Sequence, residues 1–204
     1  DLVDGIDRYR ISSIEPNLLT NEIIHFSLGE SNRFVPHFHI PLQSGSNKLL
    51  KAMRRKYLRE LYADRVHAIK NLMPDACIGV DVIVGFPGET EQDFQATLDV
   101  CSTARFTAAY TYQYSKRPGT PAATMPDQIA DDVVADRYTR LHNHQQAISL
   151  SVNQEAIGTQ HRILVTEVEG RRDAVQSRLT GRSEDFRLVH FDNTSLARPG
   201  DFVE

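Results

Sequence analysis

The sequence predicts an α/β fold built on a parallel sheet, followed by a small all-β module, and three observations lead there. Strand-like and helix-like segments alternate over the first three quarters of the 204 residues, the signature of consecutive βα units. Polar and small residues recur where those strands end. After Gly158 the texture changes to short strands separated by turns. The length suits one full domain plus a small one, and the boundary falls between a first unit over residues 1–157 and a second over 158–204.

Arg8 to Glu15 reads as the first strand, and Asn17 to Leu28 as a helix with Leu18, Leu19, Ile23 and Phe26 on one face, ended by Gly29. His37 to Gln43 is a second strand. Ser44-Gly45-Ser46 turns the chain, with Ser46 placed to cap a helix from Asn47. That helix or helix pair carries apolar positions from Leu49 to Leu72 and stops before Pro74. Cys77 to Val84 is an apolar run broken by Asp81, as in a strand buried on both faces. Gly85-Phe86-Pro87-Gly88 turns the chain, and Thr90 with Asp93 predicts a capping box on the next helix. Ala109 to Ser115 alternates Tyr110, Tyr112 and Tyr114 with polar residues, the period of a half-buried strand. Pro118, Gly119, Pro121 and Pro126 predict a loop, and Val134, Tyr138, Leu141, Ile148 and Val152 a long helix from Ala130 to Ile157. The strands of the second unit are Ile163 to Val168, Ala174 to Leu179, Arg187 to Phe191 and Asp201 to Val203.

With 23 Lys+Arg against 27 Asp+Glu the net charge is −4, so whole-chain charge argues for neither nucleic acid nor an anionic membrane. Any RNA contact must come from a local patch. No apolar run approaches the roughly 20 residues that span a bilayer, and the first residues lack a signal-peptide pattern. The chain reads as soluble and cytoplasmic. Its only cysteines, Cys77 and Cys101, sit on apolar faces like small hydrophobes. They are too few to ligate an iron–sulfur cluster by themselves.

Ligands of parallel α/β sheets bind beyond the C-terminal ends of the strands. Glu15, Gln43, Asp81 and Arg117 stand at four such ends: two carboxylates, an amide and a base, a set suited to an amino-acid nucleoside. Asp81 is the most telling, because an unpaired carboxylate in so apolar a strand is costly. His37 and His39 lie two apart and face one side of a strand, as a metal-binding pair would. Further ligands at later strand ends are lacking, so no metal site is expected. In the tail, Arg171, Arg172, Arg182 and Arg187 accompany Phe186, the composition of an RNA-contacting face; a solvated, charge-balanced surface is the alternative.

The stretches His37 to Ser46, Met53 to Tyr57, Asp81 to Thr90 and Tyr114 to Ala123 resemble, in order, the radical S-adenosylmethionine (SAM) methylthiotransferases. Gly181 to Val189 and Gly200 to Val203 are similar to a TRAM domain, a small RNA-binding barrel. The resemblance implies a partial radical-SAM (βα)6 TIM-like half-barrel followed by a small all-β TRAM-like barrel. It implies that Glu15 and Arg55 bind the amino and carboxylate ends of SAM, that Gln43 and Asp81 hold the ribose hydroxyls, and that Ile83, Val84 and Gly85 pack the adenine. For the complete enzyme it implies SAM and two [4Fe–4S] clusters as cofactors, an electron donor, and the tRNA anticodon stem-loop as partner. The family's N-terminal cluster domain and its Cys-x-x-x-Cys-x-x-Cys loop do not occur in this sequence, so the chain is expected to be a fragment, inactive alone. Arg10 to Pro16 with His37-Phe38-His39 looks most like the branch acting on threonylcarbamoyl-adenosine. An aspartate of a ribosomal protein as substrate, or a non-catalytic RNA-binding module, are the alternatives.

Overall fold

In the computed structural model, which describes residues 3–166, 178–192 and 196–204, the βα alternation becomes a four-stranded parallel sheet. Strands β1 (Tyr9–Ile11), β2 (Phe34–His39), β3 (Cys77–Val84) and β4 (Ala108–Gln113) lie in that order, each parallel to its neighbour. Period-two alternation divides β3. Ile78, Val80, Val82 and Val84 are at most 1% exposed and enter the core with Phe38, Tyr62, Phe94, Phe106 and Leu141. Cys77, Gly79, Asp81 and Ile83 therefore share the opposite face, toward which the candidate site opens.

Helices α1 (Asn21–His25), α3 (Arg59–Leu72), α4 (Glu91–Ala104) and α5 (Asp131–Glu155) cover the core face, and the short α2 (Asn47–Ala52) buries Leu49 and Leu50. α1 is shorter than its apolar spacing predicts, because Thr20 caps it at Ile23 and a π-helical turn, Phe26–Glu30, follows it. Ser46 caps α2 as expected. The capping box of α4 forms in full: Thr90 Oγ1 accepts from the Asp93 N–H at 3.2 Å, and Asp93 Oδ2 accepts from the Thr90 N–H at 2.9 Å. Gly45 packs so closely on α4 that a Cβ would collide with the Ala96 carbonyl, and its N–H donates to Thr97 Oγ1 at 2.9 Å.

β2 differs from expectation at both ends. It begins at Phe34, ahead of Pro36, because its pairing with β3 starts only at His37, and the preceding residues border β1 alone. A proline there removes no hydrogen bond to β3. It ends at His39, and the chain rejoins β3 through an isolated bridge between Gln43 and Val82, with Gln43 at φ 68°.

The second unit is an antiparallel sheet of β5 (Ile163–Thr166), β6 (Arg178–Arg182), β7 (Leu188–Asp192) and β8 (Phe202–Val203), in the order β7-β6-β5-β8. Among the described residues it is an open sheet with β7 and β8 at its edges, not the closed barrel expected. Arg171, Arg172 and most of the strand expected from Ala174 lie outside the described residues. Two aromatic side chains join the units. Phe186 lies under Arg10 at 3.9 Å and Arg182 at 4.7 Å and meets the His37 ring at 5.0 Å; Phe202 meets the Arg8 and Arg162 guanidinium groups at 4.5 and 4.1 Å. No helix among the described residues is long and apolar enough to cross a membrane.

Candidate functional site

Where β3 and β4 end, the sheet opens into a cleft of about 700 Å³ whose walls include Gln43, Arg55, Asp81, Ile83, Phe86 and Tyr114. Each reaches it for a local reason. The Gln43 N–H donates to the Asp81 carbonyl at 2.8 Å and its carbonyl accepts from the Ile83 N–H at 2.9 Å, so backbone pairing seats Gln43 beside β3. Arg55 follows α2 in a turn anchored by Tyr57, whose hydroxyl donates to the Pro41 carbonyl at 2.9 Å and is pushed up to about 12 by burial. Asp81 and Ile83 project from alternate positions of β3, beside Tyr110 and Tyr112 of β4.

The polar groups are paired within the cleft. Arg55 Nη1 donates to Glu15 Oε1 at 3.0 Å, which brings Glu15 to the rim, while Arg55 Nε is buried without a hydrogen-bond partner. Asp81 Oδ1 stands 3.4 Å from His39 Nε2. His39 Nδ1 lies 2.7 Å from the Ser12 carbonyl, which only accepts, so Nδ1 carries a hydrogen. Nε2 is buried and makes no formed hydrogen bond, the contact with Asp81 being an ion-pair distance only. The Tyr114 hydroxyl is likewise buried without a partner.

Two expected adenine contacts are not in the cleft. Val84 is 0% exposed, its side chain in the core and its carbonyl accepting from the Tyr114 N–H at 2.8 Å. Gly85, at φ +78°, faces α5, where its Cβ would lie 2.5 Å from Val134 Cγ2. A one-residue step along a strand reverses the face, which explains why Ile83 lines the cleft and Val84 does not. The apolar wall includes Ile83, Phe86 and Tyr114, the last two in an edge-to-face contact at 5.3 Å. Spacing alone does not mark Phe86 and Tyr114 as contributors, although both stand in the stretches that carry the resemblance.

Nor does spacing mark a buried ion pair behind the cleft. Arg137 of α5 donates from Nη1 to Glu89 Oε2 at 2.9 Å, and the same oxygen accepts from the Gly85 N–H at 2.9 Å. Burial raises the Glu89 carboxyl above its ordinary value, opposed by the Gly85 hydrogen bond and Arg137.

The donor set fits SAM: carboxylates and an amide for ribose and ammonium, a guanidinium for a carboxylate, an apolar wall for a base, and buried polar atoms awaiting partners. It does not fit an iron–sulfur cluster. Cys77 and Cys101 are buried, on β3 and α4, and no three His, Cys, Asp or Glu among the described residues converge on a metal. His142 stacks on Tyr138, and His144 Nε2 meets Ser102 Oγ at 2.8 Å.

The tail residues fall into two groups. Phe186 is occupied at the junction between the sheets, and Arg187 pairs with Asp185 at 2.8 Å with a side chain only 17% exposed. Arg182 is half-buried beside Phe186.

Residues 4–101 match the Radical SAM superfamily. The chain is 51% identical over 201 residues to tRNA-2-methylthio-N(6)-dimethylallyladenosine synthase of Acidothermus cellulolyticus, covering 98% of this chain and 40% of that protein. It is 50% identical over 202 residues to the enzyme of the same name from Mycolicibacterium smegmatis, covering 98% and 39%. The chain thus spans about 40% of the length of the curated relatives it matches. Coproporphyrinogen III oxidase of Escherichia coli, a radical SAM enzyme, aligns with 92% of this chain and 41% of its own at a TM-score of 0.51; at 12% identity this shows the fold alone. The relatives' names carry dimethylallyladenosine and not the threonylcarbamoyl-adenosine suggested by two short segments; the identity to them runs along nearly the whole chain. With residues 4–101 matched and about half its residues identical to these synthases, the chain is similar to radical SAM methylthiotransferases along nearly its whole length.

Proposed function

We propose that this chain is the SAM-holding part of a tRNA methylthiotransferase acting on a dimethylallyl-adenosine beside the anticodon. The observation that carries the reading is the cleft, where Gln43, Arg55, Asp81 and Ile83 meet at the ends of parallel strands. The near-half identity to named dimethylallyladenosine synthases supports the substrate.

When bound in the complete enzyme, SAM would supply the radical chemistry and the methyl group. This chain's residues bind and orient it. Glu15 accepts from the ammonium and Arg55 clamps the carboxylate, so the zwitterion replaces the Glu15–Arg55 pair with two complementary pairs. Asp81 and Gln43 hold the ribose hydroxyls, and Ile83, Phe86 and Tyr114 exclude water from the adenine. Arg182 of the second unit, with Arg10 and Arg162 at the junction, offers cations to the phosphates of the anticodon stem-loop. Arg171 and Arg172 belong to the same proposal on sequence grounds.

The test is nucleoside analysis of tRNA from cells whose only copy of the complete enzyme carries this chain. A 2-methylthio group on dimethylallyladenosine is the expected product. Its appearance on threonylcarbamoyl-adenosine alone, or on a ribosomal-protein aspartate, would overturn the substrate assignment.

A further inference from the structure

We propose that Arg137 is a positioning residue for SAM: from the second turn of α5 it fixes the Gly85–Glu89 turn that carries Phe86, one member of the apolar wall of the cleft. The inference rests on the reading of the cleft as a SAM site. Burial is the starting point. Arg137 is 6% exposed and Glu89 3%, so neither charge is tolerable alone. Arg137 Nη1 donates both to Glu89 Oε2 at 2.9 Å and to the Glu89 main-chain carbonyl at 3.1 Å. Because Glu89 Oε2 also accepts from the Gly85 N–H, the carboxylate closes the turn from within, and the guanidinium ties it to the helix.

One helical turn earlier on the same face, Val134 fills the space a Gly85 side chain would need. Two α5 residues three apart thus grip one peptide turn. Across the turn, Lys48 donates to the Gly88 carbonyl at 2.7 Å, and the Gly88 N–H donates to the Asp127 carbonyl at 2.8 Å. The turn presents Phe86, which lines the cleft and meets Tyr114. Arg137 itself does not line the cleft, so its influence on a ligand passes through the turn.

The pair is also poorly suited to be a mere stabiliser. Glu89 Oε1 and Arg137 Nε are buried without hydrogen bonds, Nε lying 3.5 Å from Glu91 Oε2. A buried pair so incompletely satisfied contributes little net stability over an apolar replacement, and its better-attested use is to fix one arrangement of the chain.

The experiment compares the complete protein with its Arg137→Met, Arg137→Lys and Leu141→Ala variants. SAM affinity is read by equilibrium dialysis, amide exchange at Gly85 by mass spectrometry, and melting temperature on the same preparations. Leu141, fully buried on the next turn of α5, provides destabilisation without touching the Gly85 turn. Arg137→Met is expected to weaken SAM roughly tenfold, the scale of one charge-assisted hydrogen bond, and to speed exchange at Gly85. Arg137→Lys is expected to recover part of the affinity. Leu141→Ala is expected to melt lower while binding SAM within about twofold of the unaltered protein. Unchanged affinity in Arg137→Met, or an equal loss in Leu141→Ala, overturns the proposal. Absence of SAM binding by the unaltered protein overturns the cleft reading and the proposal together, and is recognised before any substitution is made.

Discussion

Asp81 shows what a single strand position can and cannot reveal. Its interruption of an apolar run predicts a carboxylate facing something other than core, and in the structure it faces the cleft. Its neighbour His39 could not be read from spacing: the two are far apart in sequence and meet only because β2 and β3 are adjacent. The same limit hid Arg137 and Glu89, which no periodicity links, and it did not separate Ile83, which lines the cleft, from Val84, whose side chain enters the core. We expect Asp81→Asn to weaken SAM by about ten- to a hundredfold, from the 1.5–3 kcal/mol of a charged hydrogen bond, with an unchanged melting temperature. A lower melting temperature with intact affinity of the folded protein would instead make Asp81 the structural partner of His39. Measuring both on one preparation separates the outcomes.

Elements whose signals are local were legible in detail. β3 spans the predicted residues, and the α4 capping box forms as the Thr90 and Asp93 spacing requires. Thr90→Ala is therefore expected to cost about 1 kcal/mol by chemical denaturation. Asp93 adds a pH dependence. Burial alone would raise its carboxyl, but hydrogen bonds from Lys48, Ser46 and Thr90 outweigh it and hold the group below the usual carboxylate range. A depressed value contributes stability above the unfolded pKa of 3.8 and loses it as pH falls. Asp93→Asn should accordingly melt lower at neutral pH and show a smaller further loss on acidification. Gly45→Ala tests a contact between elements that no local pattern announces: with the Ala96 carbonyl in the way, overpacking should cost about 1–3 kcal/mol. A variant as stable as the parent would mean that α4 moves aside at little cost. α1 was the least legible helix, because its apolar face continues into the π-helical turn that ends it.

At the scale of the whole molecule, the antiparallel strands follow the change of texture after Gly158, but that change does not reveal how they dock. Phe186 reads as an exposed aromatic for RNA, yet it is engaged by Arg10, Arg182 and His37. His37 makes that junction sensitive to acid. Burial, then Arg10 and His39, push its imidazole down from 6.5 to about 4, with Asp185 opposing. The sign follows: a group depressed in the folded state contributes stability above pH 6.5 and loses it as pH falls toward 4. We expect amide protection of β1 and of residues 182–187 to fall over that interval, and His37→Gln to remove that part of the pH dependence. Equal pH profiles for parent and variant would clear His37 of the role.

α5 gives the molecule a ruler. Its first turns hold the strand end at the cleft through Val134 and Arg137, and its last turns, at Asn153 and Ala156, border the cavity beside Phe186. A continuous helix of 25 residues measures about 37 Å at 1.5 Å per residue. The spacing between the cleft and the second unit is therefore counted in helical turns. Lengthening the helix by one residue would rotate one end against the other by about 100°, whereas adding a whole turn would preserve the facing and change only the reach, by about 5.4 Å. A stem-loop that must touch both ends at once would be gauged by that length.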